Sequence, residues 1–566
     1  MKRLRKFVHL TVAAITAFVS VFGGLISSMP VAPVHAQSAG LNLPRIPWEG
    51  GPAYWAKFPK ASASGWTDPN FFPIAVFLPN PGDAAALRAL GINLALGVNW
   101  DDDPAYSPRI LKLTDPDHNP ATEDGLYAIP QKEYESGHDW VPADVGDDIR
   151  TVGWLISDEC EMGYSGCTGT QYDELNTQIS RTNAVRAYND GRFVHSDFSN
   201  GVARTFWSPD TMDEHVKLMD TIIAAGNFPY SRPDAYDPVD GIYVTSRNWP
   251  RNANARTSAT YGWTMDQLRL FMKAEPSPGY PVPAEPEGLR PPWIFVETAE
   301  PLVAQPEGST ITPEQMEGAV WQAIIHEARG IAYFPHNSDA CGGYSILYVD
   351  SQTSTCLQQL QARQNKLIAM HAKIRSLAPV INTQSYVWNF SDDGSASNNA
   401  DTMLKTSNGY AYIFAGIGLE YMGRDQSQCD IINLEPVCQA LGTNQPTGTK
   451  NFILPPGIIG TTVEVVGENR TIPVVNGQFT DNFPNEYTHH VYKIALDPNA
   501  TPTPTPTPTA TPSVGAQSGS TQRAGGGGGC TLNPGAGGAP RGLELSGLWV
   551  LWLAAHVWTR VQPVIE

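Results

Sequence analysis

Two short stretches of the chain end an apolar run in an acid. Residues 151–161, TVGWLISDECE, are apolar from Val152 to Ile156 and then meet Asp158 and Glu159. Residues 292–300, PWIFVETAE, are apolar through Val296 and then reach Glu297. Apolar residues suit a buried strand, and an unpaired acid does not. The first strand is therefore expected to stop at Ser157, with its acids at the carboxyl end. If both strands belong to one parallel barrel, Glu159 and Glu297 face each other across its mouth. Facing carboxylates can cleave an acetal, one as acid/base and one as nucleophile, when they lie roughly 5–5.5 Å apart. One must rest protonated and the other ionised, and close like charges push their pKa values apart in that sense. Glu161 and Glu300 are nearby rivals. Alternation puts Glu161 on the side of Glu159 but beyond the strand end, so both rank lower.

The elements that must position these acids alternate strand and helix from about Asn70 onward. Phe71–Leu78 reads as a first strand, followed by a short helix Asp83–Leu90 capped by Asp83. Ile92–Asn99 is a second strand, closing on Asn99 and Trp100. Leu126–Pro130 is a third, inside a region rich in Asp and Pro. The Glu159 strand is fourth, followed by a polar helix over about Gln171–Asn189. Arg192–Ser199 is the fifth, near His195 and Asp197, with a helix over Asp213–Ala225 after it. Gly241–Ser246 is the sixth, and Thr264–Ala274 a helix with Thr264 as its cap. Trp293–Val296 is the seventh, and Thr312–Arg329 an amphipathic helix capped by Thr312 with Glu314 in its first turn. Gly330–Pro335 is the eighth, leading to His336, and Leu357–Leu377 is the last helix. Eight such units predict a (β/α)8 barrel, whose chemistry sits at the carboxyl ends of its strands.

From Val380 to Leu496 the helical signal vanishes. Short alternating runs appear at Ser385–Asn389, Tyr410–Ala415, Val463–Val466, Thr471–Val474 and His489–Ile494, with turn signals at Asp393-Gly394 and Asn476-Gly477. They predict a β-sandwich. Residues 501–512 repeat Thr-Pro, which stays extended and packs no core. Gly525–Gly529 lead to Cys530, and Leu545–Thr559 lacks Asp, Glu, Lys and Arg before Arg560. The α/β organisation expected is a signal peptide over 1–36, a barrel over 37–378, a sandwich over 379–497, a Thr/Pro and Gly/Ser-rich linker over 498–529, and an apolar tail over 530–566.

The first 36 residues combine Lys2, Arg3, Arg5 and Lys6 with an apolar stretch from Phe7 to Ile26, and Val34 and Ala36 offer small residues for cleavage. Secretion is the expectation, a retained anchor the alternative. The net charge is −19. That argues against nucleic acid as a partner, because phosphate binding wants a basic face. Six of the seven cysteines fall in close pairs, predicting bridges Cys160–Cys167, Cys341–Cys356 and Cys429–Cys438 in an oxidising compartment. A zinc site is the alternative, but there is no CxxC and no matching His spacing. No phosphate loop or Gly-x-Ser-x-Gly elbow is present, and neither metal nor cofactor is expected.

With its strands placed, the barrel resembles the large clan of retaining glycoside hydrolases built on (β/α)8 barrels. That clan carries an acid/base Glu at the end of strand four and a nucleophile Glu at the end of strand seven, matching Glu159 and Glu297. GWLISDE is similar to a Gly-Trp-x-x-x-Asp-Glu form seen in barrel hydrolases, and RGIAYFPHN resembles their eighth strand. The likeness covers roughly residues 70–377. Much of the clan has Asn before the acid/base, contacting the sugar 2-hydroxyl; Asp158 stands there, and an ionised Asp accepts but cannot donate. The clan often holds its nucleophile with a strand-six tyrosine, a role Tyr243 or the nearby Asn248 could fill, while Ser246 shares that strand end. His195 and His336 are candidate hydroxyl binders at the rim. Trp100, Trp249 and Trp263 are candidate stacking platforms or core, Asn99 a further substrate contact, and His489-His490 exposed strand. The resemblance implies a polysaccharide or oligosaccharide substrate. The tail resembles a bacterial carboxyl-terminal sorting segment, implying attachment to a cell surface or membrane, with a short transmembrane anchor as the alternative. A non-catalytic carbohydrate-binding or structural surface protein on the same barrel is the competing reading.

Overall fold

The computed structural model describes residues 40–46, 50–119, 124–132, 138–199, 209–224, 228–231, 257–273, 290–300, 310–390, 400–418, 421–424, 439–441 and 447–499. Residues 1–36, the Thr-Pro repeat 501–512, residues 530–566, Cys429, Cys438 and the Asp393-Gly394 dipeptide lie outside them, and with them the expected signal peptide, linker, tail, third bridge and turn.

Eight parallel strands form the barrel: β1 Ile74–Phe77, β2 Leu94–Leu96, β3 Tyr127–Ile129, β4 Gly153–Asp158, β5 Phe193–Phe198, β6 Thr221–Ala224, β7 Pro292–Glu297 and β8 Gly330–Phe334. Their order is β3-β2-β1-β8-β7-β6-β5-β4. The ring closes between β3 and β4 through Val152 N–H to the Ala128 carbonyl at 3.0 Å and Leu155 N–H to the Pro130 carbonyl at 3.0 Å. Alternation sorts the side chains. Leu155, Phe193, Trp293 and Phe295 fill the inside, while Trp154, Ile156, Ile294 and Val296 face the helices. At the amino end of the barrel the interior is plugged by aromatics, with Trp66 lying 5.7 Å from Phe193 and 6.4 Å from Trp293 between ring centroids. Gly153 and Gly330 make room for this plug. A Cβ on either would meet the ring of Phe193 or Trp293 at 2.6 Å.

The sixth strand is corrected. It is Thr221–Ala224, in the stretch read as the end of a helix; that helix is Pro209–Leu218. Asp220 breaks it by binding β5, accepting from Val194 N–H at 2.8 Å and donating its own N–H to the Val194 carbonyl at 3.0 Å. Gly241–Ser246 lies outside the described residues. Thr264 is not a cap either. Its helix runs Ala259–Lys273, and its hydroxyl donates to the Thr260 carbonyl within it at 2.9 Å. Asp83 makes no capping bond and instead accepts from Asn80 at 3.3 Å. Thr312 does cap the helix Pro313–Ile325, reciprocally with Gln315. The last barrel helix is Ser354–Ile381.

The C-terminal region is antiparallel. β9 Ala400–Ser407, β10 Tyr410–Ile417, β14 Thr462–Val465, β15 Arg470–Pro473 and β17 His489–Ala495 form a sheet ordered β15-β14-β17-β10-β9. An antiparallel pair of β13 Gly448–Ile453 and β16 Gln478–Phe483 lays Phe452 and Phe479 over Tyr492, with centroids 5.4 and 4.9 Å away. A further pair joins β11 Tyr421–Arg424 to β12 Gln439–Leu441. Asn476 and Gly477 turn β15 into β16 with φ of 52° and 75°, the left-handed pair a two-residue hairpin needs. Ser385–Asn389 forms no strand; Tyr386 makes single bridges to Arg45 and Leu404. His489 and His490 are not exposed: His489 stacks on Trp321 of the barrel at 5.4 Å, and His490 accepts or donates at 2.6 Å with Glu468. Among the described residues, no helix is long and apolar enough to cross a membrane.

Candidate active site

The ends of β4 and β5 are shaped by a β-bulge. Leu155 pairs with His195, but the next pair is Asp158 with Asp197, so β4 spends three residues where β5 spends two. Strict alternation would turn Ser157 inward. With the bulge, the Ser157 hydroxyl reaches outward to Gln178 at 2.6 Å, and Asp158 comes level with Asp197. β4 therefore runs one residue past its expected end. Asp197 shares the inward face of Phe193 and His195 and is fully buried. Burial first, and then the charge of Asp158, push the Asp197 carboxyl well above the usual carboxylate range.

Glu159 follows in a left-handed backbone conformation, φ 50° and ψ 45°. Such a conformation costs a non-glycine residue on the order of 1–3 kcal/mol. Its N–H donates to the Asp197 carbonyl at 3.3 Å, and the turn beyond it is stapled by the Cys160–Cys167 disulfide. The Cys341–Cys356 bridge also forms, in the segment after β8. Glu159 is half-buried, whereas Glu161 is fully buried and accepts from Ser199 N–H at 2.5 Å. Burial, then the Glu159 charge, raise the Glu161 carboxyl well above its ordinary value.

Glu297 ends β7 on the inward face of Trp293 and Phe295 and is fully enclosed. Three donors clamp it. Oε1 accepts from Tyr230 N–H at 2.9 Å and from the Tyr261 hydroxyl at 2.8 Å, and Oε2 accepts from Ser231 N–H at 2.9 Å. Tyr230 and Ser231 follow β6, and Tyr261 stands in the first turn of the next helix. Burial pushes the Glu297 carboxyl up to about 7, against these hydrogen bonds, which favour the charged form. A tyrosine hydroxyl thus does contact Glu297, from the helix Ala259–Lys273. Tyr243, Ser246, Asn248 and Trp249 lie outside the described residues.

The other sequence candidates separate. Asn99 bonds the Leu78 carbonyl at 3.2 Å and Asn80 at 3.0 Å, so its amide is tied to the β1 end. Trp100, just past β2, is part-exposed, donates to Asp102 at 2.7 Å, and lies 3.4 Å from the His138 ring centroid. His195 is not at the rim. It sits mid-strand inside the barrel, 5.0 Å from Trp293, with Nδ1 2.5 Å from the Thr221 hydroxyl, and burial lowers its pKa to about 3. His336 follows β8, beside Phe334 and Tyr344. Glu300 is buried, its carbonyl accepting from Ser338 N–H at 2.7 Å. Trp263 lies within the outer helix Ala259–Lys273, not at a strand end. Among the described residues, one group has cation-ligand spacing: Asp115, Asp117 and Asp124, with oxygens within 4.8 Å of one another. It precedes β3, on the opposite side of the barrel from Glu297.

No protein-family model matches the chain, and no curated protein matches it. Solved structures match the fold at low similarity. One is a glycoside hydrolase, with TM-score 0.41 and 10% identity over 75% of this chain and 93% of that one. Another is AbfB, a family 51 alpha-L-arabinofuranosidase from Bifidobacterium longum, with TM-score 0.39 and 10% identity over 81% of this chain and 99% of that one. A third is a variant of AmyP in complex with maltotriose, with TM-score 0.37 and 10% identity over 77% of this chain and 99% of that one. Likeness at this level assigns no activity.

Proposed function

We propose that the chain is a glycoside hydrolase in which Glu159 acts as acid/base and Glu297 as nucleophile, cleaving a β-linked glycan with retention. The observation that carries this reading is the clamp on Glu297: a carboxylate at a strand end, aimed inward and oriented by three donors. Two backbone N–H groups and a phenol hold the group in one rotamer and favour its charged form, as a nucleophile requires. Glu159 is the less buried acid and stands on a disulfide-stapled turn, where a leaving group can reach it. Asp158, Asp197 and Glu161 gather beside it at the ends of β4 and β5. Asp158, Asn99, Trp100 and His336 are the proposed sugar contacts. Secretion through residues 1–36 and attachment to a membrane or cell surface through the tail complete the proposal.

A second reading, carbohydrate binding without turnover, draws on one observation. Glu297 is fully enclosed, so a sugar carbon reaches it only when a neighbouring group moves aside. Incubation with aryl β-glycosides and polysaccharides separates the two. Turnover lost in both Glu159→Gln and Glu297→Gln supports the hydrolase. Binding on a glycan array with no turnover favours the second reading, and turnover surviving both substitutions removes this pair.

A further inference from the structure

The C-terminal sheet sends one acid back into the barrel. Glu486, between β16 and β17, accepts from the Tyr230 hydroxyl at 2.9 and 3.0 Å on its two oxygens. It also accepts from Ser258 N–H at 2.9 Å, the Thr257 hydroxyl at 3.3 Å and Gln315 Nε2 at 3.1 Å. These donors come from three places: the segment after β6, the start of the helix carrying Tyr261, and the first turn of the helix after β7. Both segments that clamp Glu297 therefore end on one carboxylate from the other sheet. Tyr230 holds Glu297 by its backbone and Glu486 by its phenol; Ser258 precedes Tyr261 by three residues.

The loop bearing Glu486 is fixed on both sides. A Cβ on Gly318 would meet Tyr487 Cβ at 2.6 Å, so the barrel helix approaches this loop as closely as glycine allows. His489 stacks on Trp321 of the same helix, 5.4 Å between centroids and 17° between planes. The acid is thus presented by packing, and its geometry is set before any ligand arrives.

We infer that Glu486 is a positioning residue for Glu297, acting through Tyr230 and Ser258, and that the C-terminal sheet is a working part of the site rather than an appendage. The inference rests on the reading of Glu297 as the nucleophile. Its consequence is that loosening Glu486 weakens the clamp on Glu297, and weaker donors to the charged form raise the pH at which Glu297 ionises. Tyr230 and Tyr261 contact Glu297 on this side, and Glu486 stands behind the Tyr230 phenol. Asp158, Glu159, Glu161 and Asp197 end β4 and β5, and His336 follows β8.

The test is a double-mutant cycle on the full chain. Unfolding stability is measured against pH for wild type, Glu297→Gln, Glu486→Ala and the double variant. The difference between each Glu297 protein and its Gln partner isolates the Glu297 titration, because the other acids cancel. The inference predicts that Glu486→Ala moves that midpoint up by about one pH unit and lowers kcat about tenfold or more with KM little changed. Glu486→Gln, which keeps an acceptor for Tyr230, restores most of both. Glu486→Ala on a Tyr230→Phe background adds less to the shift than it does alone. A lower Tm in Glu486→Ala with an unmoved midpoint and wild-type kcat would overturn the inference and leave Glu486 as interface packing. A wild type with no turnover on any glycoside ends the hydrolase reading, while the stability cycle still decides Glu486.

Discussion

The Tyr261 hydroxyl donates to Glu297 Oε1 at 2.8 Å, from a helix that sequence places after a different strand from the one Glu297 ends. This bond and the two backbone donors oppose the burial that drives the Glu297 carboxyl up to about 7. A nucleophile must be ionised, so kcat/KM should rise with pH through about 7 on its acid limb. Tyr261→Phe removes a donor to the charged form, moving that limb to higher pH and lowering kcat/KM at pH 6 about tenfold. A pH–rate profile of the two proteins checks both.

The same ionisation is a stability term. A carboxyl raised from 4.5 to about 7 favours folding while protonated. That contribution is fully present below the unfolded value and is lost as pH rises through about 7. Relative to Glu297→Gln, the wild type should lose about 3 kcal/mol between pH 4 and pH 8. Urea unfolding at a series of pH values measures it, and a flat difference would contradict the burial argument.

The Cys160–Cys167 bridge closes a short loop directly after Glu159, spanning a sequence separation of 7. Replacing both cysteines with alanine should cost roughly 2 kcal/mol of stability. It should also lower turnover at temperatures where the protein stays folded, because the strained Glu159 backbone loses its support. Turnover unchanged at 25 °C would detach the staple from the acid.

Gly153 starts β4 with no room for a side chain, its would-be Cβ 2.6 Å from the Phe193 ring. Gly153→Ala should destabilise by about 1–3 kcal/mol, and Phe193→Leu in the same chain should recover part of the loss. Thermal melts of the three variants decide this.

Much of the barrel was legible because strand and helix differ in apolar period. The runs ending at Asp158 and Glu297 each announced a buried strand with an acid beyond it, and β4 and β7 stand there. β6 was not legible. Thr221–Ala224 follows the helix Pro209–Leu218 after two residues, so its apolar residues continue the helical spacing of Val216 and Met219. The break comes from Asp220 binding Val194, a tertiary contact with no local signal. The bulge that brings Asp158 level with Asp197 was hidden for the same reason, since it appears only in the pairing with β5. Tyr230, Ser231 and Tyr261 carry no motif, and Glu486 lies 256 residues from the phenol it binds. The two predicted bridges among the described residues form because each pair closes a short loop.

Covalent trapping tests the central claim most directly. The protein is incubated with activated 2-deoxy-2-fluoro β-glycosides, digested, and its labelled peptide sequenced by mass spectrometry. The account predicts a glycosyl ester on Glu297, formed by wild type and absent in Glu297→Gln. A label on Asp158, Asp197 or Glu161, or turnover of a substrate with inversion at its anomeric carbon, would contradict it.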